Sequence, residues 1–339
     1  MVGGVTVSES PSVKSKGKSK RKIITIEDLP GVGVSTAAKL RAQGYTSIEY
    51  IAITPPEQLS QDTGIGKATA EKIVKAAREA IGSFLKFERG DEIFKRYVSS
   101  PRLTSGCRAL DDILGGGFES RAITEIFGPY GSGKTQICHQ LAVTVQLPRE
   151  EGGLEGACLY IDTENSFRPQ RIKLIAERFG IDPNEALHNV IRGAAFNSHH
   201  QMLLIREARK FIKDENIKLI IVDSLTSNFR SEYVGRETLA VRQQLLNVHM
   251  HDLLRLSLAF DLVVVVTNQV MARPDAVFMF EPTIHVGGHI VAHTSTTRIS
   301  LRSSRDNIRV ARVVASPHLP IREAVFKITE RGIEDVEEA

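Results

Sequence analysis

The sequence contains no tryptophan, only three cysteines among 339 residues, and no long apolar run. An odd cysteine count without Cys-x-x-Cys spacing (Cys107, Cys138, Cys158) argues against a disulfide framework and a zinc site, and is typical of a reducing cytosol. No segment approaches the roughly 18 apolar residues of a membrane helix. The N-terminus has no apolar signal-peptide core. We therefore expect a cytoplasmic, nucleoid-associated protein without a membrane partner.

The composition is that of a globular protein, with 42% hydrophobic and 25% charged residues. Because 339 residues exceed one domain of ordinary size, two domains are expected. The formal net charge of +4 permits a polyanionic partner but does not require one.

The first 22 residues form a Ser/Lys/Gly-rich basic tail, which we expect to be disordered because it has almost nothing apolar to bury. It would act either as a solubilising tail or as a nonspecific phosphate-binding arm.

Residues 23–82 are predicted to form an all-α helix-hairpin-helix domain. A glycine–hydrophobe–glycine turn occurs twice, as Gly31-Val32-Gly33 and Gly64-Ile65-Gly66, each followed by a helical pattern, with Pro55-Pro56 in a loop between them. Such turns expose backbone N–H groups beside a helix N-terminus, which suits a DNA phosphate. Gly64, Gly66 and the adjacent Lys67 are therefore candidate DNA contacts. The alternative is that the glycines merely permit tight turns.

Residues 83–100 are predicted to be a charged linker that carries Phe84, Phe87, Phe94 and Tyr97. Exposed aromatic side chains are unusual unless they dock against another surface. The alternative is an amphipathic helix that lies on the core of its own chain.

From about residue 101 to 339, short apolar strands alternate with helical segments, which predicts an α/β core with a mostly parallel sheet. The four central strands are near-continuously apolar and are expected to be buried on both faces. They are predicted at 123–127, 157–161, 219–222 and 262–267, with further β-prone runs near 297–302, 309–314 and 324–328.

The most specific motif is a Walker A phosphate-binding loop. It follows the first of these strands, opens a helix, and consists of Gly128, Pro129, Tyr130, Gly131, Ser132, Gly133, Lys134 and Thr135, with Gln136 next in the helix. The glycines let backbone N–H groups turn towards the phosphates, Lys134 reaches the β and γ oxygens, and Thr135 supplies a hydroxyl to Mg²⁺. ATP and Mg²⁺ are the expected ligands.

Three further strand ends supply candidate catalytic groups. Asp223 ends the apolar run 219–222 and is predicted to serve the magnesium ion, since a buried carboxylate needs a cation or hydrogen bonds. Glu164 follows another central strand and is the predicted general base. Asp162 is its competitor, or else caps the next helix. Gln269, just after the strand 262–267, is placed to contact the γ-phosphate and to relay the nucleotide state.

With these strands placed, the chain resembles the RecA/RadA recombinase superfamily, and within it the archaeal RadA branch. The likeness spans about residues 23–333, and its most specific stretches are LDDILGGGF (110–118), GPYGSGKTQICHQLAV (128–143), YIDTENSFRPQRI (160–172), LIIVDSLTSNFRSEYVGRETLAVRQQ (219–244), TNQVMARPD (267–275), VGGHIVAH (286–293) and ASPHLP (315–320). The resemblance implies a RecA-like P-loop ATPase core. It also implies an ATP-dependent filament that pairs single-stranded DNA with a homologous duplex.

The resemblance also implies roles around the nucleotide. Glu164 matches the catalytic glutamate and Gln269 the γ-phosphate sensor, while Arg168 would pack on the adenine. A segment of the neighbouring protomer would cap the nucleotide, and its match here runs from Glu281 and Pro282 to His289. The family usually has Asp in place of Glu281, and Gly in place of Asn165.

Two DNA-facing loops are implied as well. The first contains Phe229, Arg230, Tyr233, Arg236 and Arg242, and the second runs from about 270 to 283 with Arg273. Independently of the family, arginines interleaved with an aromatic residue suit single strands, because arginine neutralises phosphate while the ring supports a base. The alternative for any single arginine is a surface ion pair, for instance with Glu232 or Glu237.

In the linker, Phe87-Glu88-Arg89-Gly90 matches a Phe-x-x-Ala polymerisation motif by its distance from residue 104, with Gly90 in place of alanine. The sequence therefore predicts a DNA-dependent ATPase and strand-exchange recombinase. Its expected partners are single- and double-stranded DNA, further copies of itself in a filament or ring, and recombination mediators. The alternatives are a paralogue that assists filament assembly and a non-catalytic DNA-binding protein assembled by ATP.

Overall fold

Helices make up the first part of the chain and a large sheet organises the second. The computed structural model describes residues 25–82, 87–272, 283–285 and 288–336. The tail, residues 83–86 of the linker, Arg273, Glu281 and Pro282 lie outside the described residues. No helix in the described ranges is long and apolar enough to cross a membrane.

A short 3-10 helix (Ile26–Asp28) and four α-helices form the described part of the N-terminal domain: α1 (Val34–Ala42), α2 (Ile48–Ile53), α3 (Pro56–Thr63) and α4 (Lys67–Ile81). Helix α4 is amphipathic and buries Ala70, Ile73, Val74 and Ala77, a spacing of three and four residues that places them on one face. The predicted loop at Pro55-Pro56 is wrong. Pro56 is the first residue of α3, where its missing N–H costs no helical hydrogen bond.

The linker also contains a helix, α5 (Gly90–Ser99), none of whose side chains is buried. Tyr97 ties it to the core: its hydroxyl lies 2.7 Å from Nε2 of His318 and accepts a hydrogen bond from the Arg102 guanidinium at 2.6 Å. The linker thus contains a helix, as the alternative interpretation expected, but this helix buries no side chain against the core and leaves Phe94 exposed.

The core is built on strands β1 (Arg102–Leu103), β2 (Phe118–Glu119), β3 (Ala122–Gly128), β4 (Ala157–Asp162), β5 (Val190–Ala194), β6 (Ile217–Asp223), β7 (Val263–Ala272), β8 (Thr283–His285), β9 (Thr297–Ser303), β10 (Ile308–Ala315), β11 (Glu323–Thr329) and β12 (Gly332–Asp335). Nine of them form the main sheet in the order β12-β11-β10-β9-β3-β7-β6-β4-β5, while β8 pairs with the end of β7. The six strands from β9 to β5 run parallel, and β10, β11 and β12 extend the sheet antiparallel. The predicted mostly parallel sheet, extended towards the C-terminus, is confirmed.

Helices cover both faces of this sheet, and they are α6 (Arg108–Ile113), α7 (Lys134–Thr144), α8 (Pro169–Arg178), α9 (Pro183–His188), α10 (Ser198–Ala208), α11 (Ser227–Glu232), α12 (Leu239–Phe260) and α13 (Gly288–Thr294). One apolar cluster packs α6, α7, α8 and α9 on one face, and a second packs α10 and α12 on the other. Strand residues alternate between the clusters, so the central strands are buried on both faces, as their composition predicted. The three cysteines are buried and free.

The N-terminal domain docks on the second face. Arg209 at the end of α10 is 3% exposed and contacts the Asp62 carboxylate at 3.0 Å. Its guanidinium also lies over the ring of Tyr45, 4.4 Å from the ring centre. Tyr50 packs against Phe260, and the apolar cluster of this face continues into the domain. The helical domain therefore shares a core with the sheet.

Candidate functional site

The carboxyl ends of four parallel strands meet at one edge of the sheet and carry the polar groups predicted from the sequence. Strand β3 leads into the loop 128–135, β4 leads to Glu164, and β6 ends at Asp223. Gln269 lies inside β7, which continues to Ala272, and not after the strand as predicted. In the sheet register Gln269 is paired with Gly128, the first residue of the loop.

The loop has the backbone geometry of a phosphate cradle. Gly131 and Gly133 adopt φ values of +75° and +101°, a region that side-chain-bearing residues rarely enter. Helix α7 then starts at Lys134, so its free N–H groups and the positive end of its dipole face the cradle. The Ser132 hydroxyl is buried there without a hydrogen-bond partner. Tyr130 projects almost fully into solvent.

Lys134 folds back over its own loop. Its ammonium group donates to the carbonyl oxygens of Gly128 and Pro129, each at 2.9 Å. Burial lowers the pKa of Lys134 below its ordinary value, and the Asp223 and Glu164 carboxylates act in the opposite direction. A phosphate anion beside this lysine would replace solvent as the partner of its charge.

Asp223 lies at the centre of the site and is 3% exposed. Its Oδ2 accepts hydrogen bonds from the Thr135 hydroxyl and the Tyr160 hydroxyl, each at 2.8 Å. The hydroxyls of Ser166 and Thr267 donate to the same carboxylate. These four donors supply the hydrogen bonds that a buried carboxylate requires. Because Thr135 gives its proton to Asp223, the lone pairs of its oxygen remain available to a cation.

Glu164 and Asp162 have different roles, and their contacts distinguish them. The Asp162 carboxylate is buried and is held by the N–H groups of Ser166 and Phe167 and by an ion pair with Arg192 at 2.7 Å. Burial would raise the pKa of Asp162, but these donors outweigh it and lower the pKa. Asp162 therefore secures the turn after β4. Glu164, in contrast, is exposed to the cleft and accepts a hydrogen bond from Gln269 at 3.0 Å.

Asn165 adopts the left-handed conformation, with φ +52°, and its side-chain oxygen accepts a hydrogen bond from Arg192 at 3.0 Å. Asparagine tolerates this conformation better than most residues. Asn165 stands where the family usually has glycine, and it therefore preserves the local turn.

These groups line a cleft of about 690 Å³, a size that suits a nucleotide. Beyond the loop, its wall is formed by Gln136, Arg171 and the C-terminal strands, including Asn307, Arg309 and Thr329. Arg171 is half-buried and hydrogen-bonds to Gln136 at 2.7 Å and to the carbonyl oxygen of Thr329 at 2.5 Å.

Arg168 does not line this cleft. Its guanidinium donates to the backbone carbonyls of Asn165 and Phe167, so it faces its own turn. Arg168 was predicted to pack on the adenine, but it is Arg171 that lines the cleft. One helical turn separates the two arginines, and sequence alone does not say which one faces inwards.

The donor set fits Mg²⁺ and a nucleoside triphosphate. The orphaned Ser132 hydroxyl, the Lys134 ammonium and the N-terminus of α7 are all donors to an anion, while the Thr135 oxygen and Asp223 are hard oxygen ligands. Magnesium prefers one or two such protein oxygens together with substrate phosphates.

A second group of predicted residues follows β6. Arg230, Arg236 and Arg242 form no ion pair within the described part of the chain, and Glu232 instead accepts hydrogen bonds from Ser198. The surface ion pair offered as an alternative for these arginines is therefore not formed with Glu232 or Glu237.

The aromatic residues of this loop have different environments. Tyr233 is half-buried and its hydroxyl lies 3.3 Å from Nε2 of His199. Phe229 is fully buried against His249, so its ring cannot contact DNA as the first loop's pattern suggested.

The helix-hairpin-helix turn is open to solvent. Gly64 ends α3 in the left-handed conformation and Gly66 caps α4, and a Cβ at either position would meet no atom within 4 Å. Lys67 is exposed, and its Nζ forms an ion pair with Oε1 of Glu57 at 3.2 Å.

In the linker, the Phe87 side chain is fully exposed and Gly90 opens α5. A Cβ at Gly90 would also meet no atom within 4 Å. Of the remaining predicted residues, Arg273 and Pro282 lie outside the described residues, and His289 belongs to α13.

Fold and cleft together define a RecA-like P-loop α/β protein with a helical N-terminal domain. The Rad51 family pattern matches residues 97–336, and the SAM-like helix-hairpin-helix tandem pattern matches residues 23–79. The chain is 52% identical over 321 residues to the DNA repair and recombination protein RadA of Aeropyrum pernix, which covers 95% of this chain and 100% of that protein. It is 50% identical over 322 residues to the protein of the same name from Metallosphaera sedula, with 95% and 98% covered. The chain belongs to the Rad51 family, which confirms the resemblance.

The two arginines of the turn and helix after β4, Arg168 and Arg171, provide a matched test of which one contacts the nucleotide. We expect Arg171→Ala to weaken binding of a fluorescent ATP analogue about tenfold, because a packed charged contact contributes more than about 1.4 kcal/mol. Arg168→Ala should leave the dissociation constant within about twofold of wild type, since a solvent-facing arginine contributes little. Fluorescence titration of both variants, with circular dichroism to verify folding, measures this. Equal losses in the two variants would contradict the assignment.

Proposed function

We propose that this protein is a DNA-dependent ATPase that assembles on single-stranded DNA and catalyses homologous pairing and strand exchange in DNA repair. The carrying observation is that the groups for hydrolysis, Lys134, Asp223, Glu164 and Gln269, converge at one sheet edge, from which the arginine-bearing loop follows directly. Membership of the Rad51 family, and the similarity to DNA repair and recombination proteins named RadA, support the same activity.

For hydrolysis, Lys134 and the N–H groups at the start of α7 would hold the phosphates, and Ser132 would donate a further hydrogen bond. Glu164 would accept the proton of the attacking water, and its hydrogen bond with Gln269 orients it. Thr135 and Asp223 would hold Mg²⁺, which neutralises charge on the β and γ oxygens when bound.

ATP binding and hydrolysis would be coupled to DNA binding through the ends of two strands, β7 and β6. Gln269 donates to Glu164, and the same strand β7 continues to Ala272, which lies within the first residues of the second predicted DNA loop. Asp223 lies four residues before α11, where the first loop starts. A change of hydrogen-bond partner at either residue would therefore act on a DNA-binding segment.

We further propose a division of labour along the chain. Residues 23–82 would bind DNA through the Gly64–Gly66 turn and Lys67. Residues 83–100 would dock on a neighbouring copy through Phe87, and residues 101–339 would form the ATPase. The exposure of the turn and of Phe87 supports this division.

Gly90 and Glu281 favour one other candidate, a paralogue that assists filament assembly without exchanging strands itself. A labelled-strand assay separates the two functions. With ATP and homologous duplex, the recombinase should yield joint molecules, and ATP turnover should rise on addition of single-stranded DNA. Intact ATPase activity without joint molecules would favour the paralogue. No ATP binding at all would refute both.

The general base can be tested by Glu164→Gln, which preserves the shape of the side chain but cannot take up a proton. We expect ATP turnover to fall by about 10²-fold or more while ATP affinity stays near wild type. Lys134→Ala should lose turnover through loss of ATP binding. Steady-state phosphate release and an ATP-binding titration measure both effects, with the exposed Glu177→Gln as control. Wild-type turnover in Glu164→Gln would assign the base elsewhere.

The first DNA loop can be tested through salt dependence. Each substitution Arg230→Gln, Arg236→Gln or Arg242→Gln should reduce the slope of log K against log salt by about 0.7, because each phosphate contact on a single strand releases about that much counterion. Fluorescence anisotropy with an oligonucleotide at several salt concentrations measures the slope. The exposed Arg322→Gln serves as control. Unchanged slopes in all three variants would show that the loop does not contact DNA.

Assembly can be tested with the linker motif. Phe87→Ala should reduce particle size in light scattering, because burying a phenylalanine contributes roughly 1.5–3 kcal/mol per contact. Gly90→Ala should strengthen assembly, since the added methyl has open space in the single chain and reduces backbone entropy in the unbound linker. Phe94→Ala, which removes another exposed ring from the same segment, is the control. Particle size unaffected by Phe87→Ala would exclude the docking role.

A further inference from the structure

A second recess lies at the amino-terminal edge of the sheet, opposite the P-loop edge. It is bounded by the end of α5, by the starts of β3 and β6 and by the turn before β7, and its volume is about 420 Å³. Its polar lining includes Arg96, Ser120, Arg121, Arg149, Lys218 and Asp261. We propose that this recess, which we call the rear recess, binds a small phosphate-bearing anion.

The first observation is the charge of the rear recess. Four of the six polar side chains named are cations, and three carboxylates pair with them: Asp261 with Arg121, Glu88 with Arg96 and Glu155 with Arg149. Four cations against three anions leave a net charge of +1, which Lys218 supplies. Cations gathered in a concave site with low-dielectric walls reinforce one another and concentrate anions.

Ser120 supplies the second observation. This residue is 2% exposed, and its hydroxyl is buried without a hydrogen-bond partner. A buried hydroxyl left unpaired costs free energy, and such groups are normally satisfied. Because Ser120 lines the rear recess, an anion bound there could accept this hydrogen bond.

Two of the cations, Arg149 and Lys218, also have N–H groups that are free to donate hydrogen bonds. Arg149 uses only its Nε towards Glu155, at 3.2 Å, although a guanidinium has five N–H donors. Lys218 forms no ion pair among the described residues. A tetrahedral phosphate, which accepts several hydrogen bonds at once, matches guanidinium, ammonium and hydroxyl donors converging from different elements.

Two of the arginines have structural contacts of their own. Arg121 donates to the carbonyl oxygen of Leu258 near the end of α12 and pairs with Asp261 at 2.5 Å. Arg96 binds both oxygens of Glu88. These contacts hold the two guanidinium groups, whereas Lys218 forms no ion pair among the described residues and the Ser120 hydroxyl has no hydrogen-bond partner there. The residues that test the proposal are therefore Lys218 and Ser120.

The position of the rear recess favours a free anion over a nucleic-acid backbone as its ligand. The arginine loop that follows β6 and the continuation of β7 both leave from the carboxyl ends of the strands. The rear recess is at the other ends of the same strands. Inorganic phosphate is the simplest probe of this chemistry, and a phosphate monoester would use the same donors.

The test is calorimetric titration of inorganic phosphate into the full chain saturated with Mg·ADP, which occupies the P-loop. We expect one phosphate site per chain. Lys218→Gln should raise its dissociation constant about tenfold, and Ser120→Ala should raise it about threefold or more. Lys75→Gln, an equal loss of charge on an exposed face of the N-terminal domain, should leave it unchanged.

Three outcomes would overturn the proposal. The first is no saturable phosphate binding up to about 10 mM. The second is the same dissociation constant in all four proteins, which would place the phosphate outside the rear recess. In the third, phosphate does not bind but Lys218→Gln weakens duplex DNA binding at constant salt. The rear recess would then contact nucleic acid and not a small anion.

Discussion

The buried carboxylate of Asp223 is the interaction on which the nucleotide site depends. It receives hydroxyl hydrogen bonds from α7, from β4, from the turn after β4 and from β7. A charged group so far from solvent is tolerated only when its lone pairs are satisfied, so these four segments are held in one arrangement. The P-loop helix, the segment that carries Glu164 and the strand of Gln269 are thereby fixed relative to one another.

The same arrangement brings the nucleotide site close to the surfaces proposed to bind DNA. Gly128 and Gln269 are neighbours in the sheet, and Gln269 in turn holds Glu164. Beyond Gln269 the strand runs on towards the second loop, and beyond Asp223 the chain enters the arginine-bearing helix. The two loops therefore start where the phosphates would be held. In a packed sheet, a change in hydrogen bonding at such a strand end is transmitted as a discrete shift, because the interior has little free volume.

Local sequence patterns predicted much of this architecture. The apolar runs predicted the bounds of β3, β4 and β6 to within a few residues, because a strand buried on both faces has an unbroken hydrophobic sequence. Strand β7 extends further than predicted, to Ala272. The P-loop was predicted with its residues and its place between strand and helix, since its backbone geometry demands glycine at fixed positions. The linker was less accurately predicted: α5 carries apolar residues at helical spacing (Ile93, Phe94, Tyr97 and Val98), but none of its side chains is buried against the core.

The sequence alone determined the fold class, the phosphate-binding loop and the identity of the carboxylates and amide that line the cleft. Only the tertiary structure decided which side chain faces which neighbour. It directed Asp162 to Arg192, turned Arg171 instead of Arg168 into the cleft, and buried Phe229. The reason is physical: motif residues are specified by chemistry within a few positions of chain, whereas the orientation of Asp162, Arg171 and Phe229 depends on partners 20 to 158 residues away. Those partners are brought together only when the sheet and its helices pack.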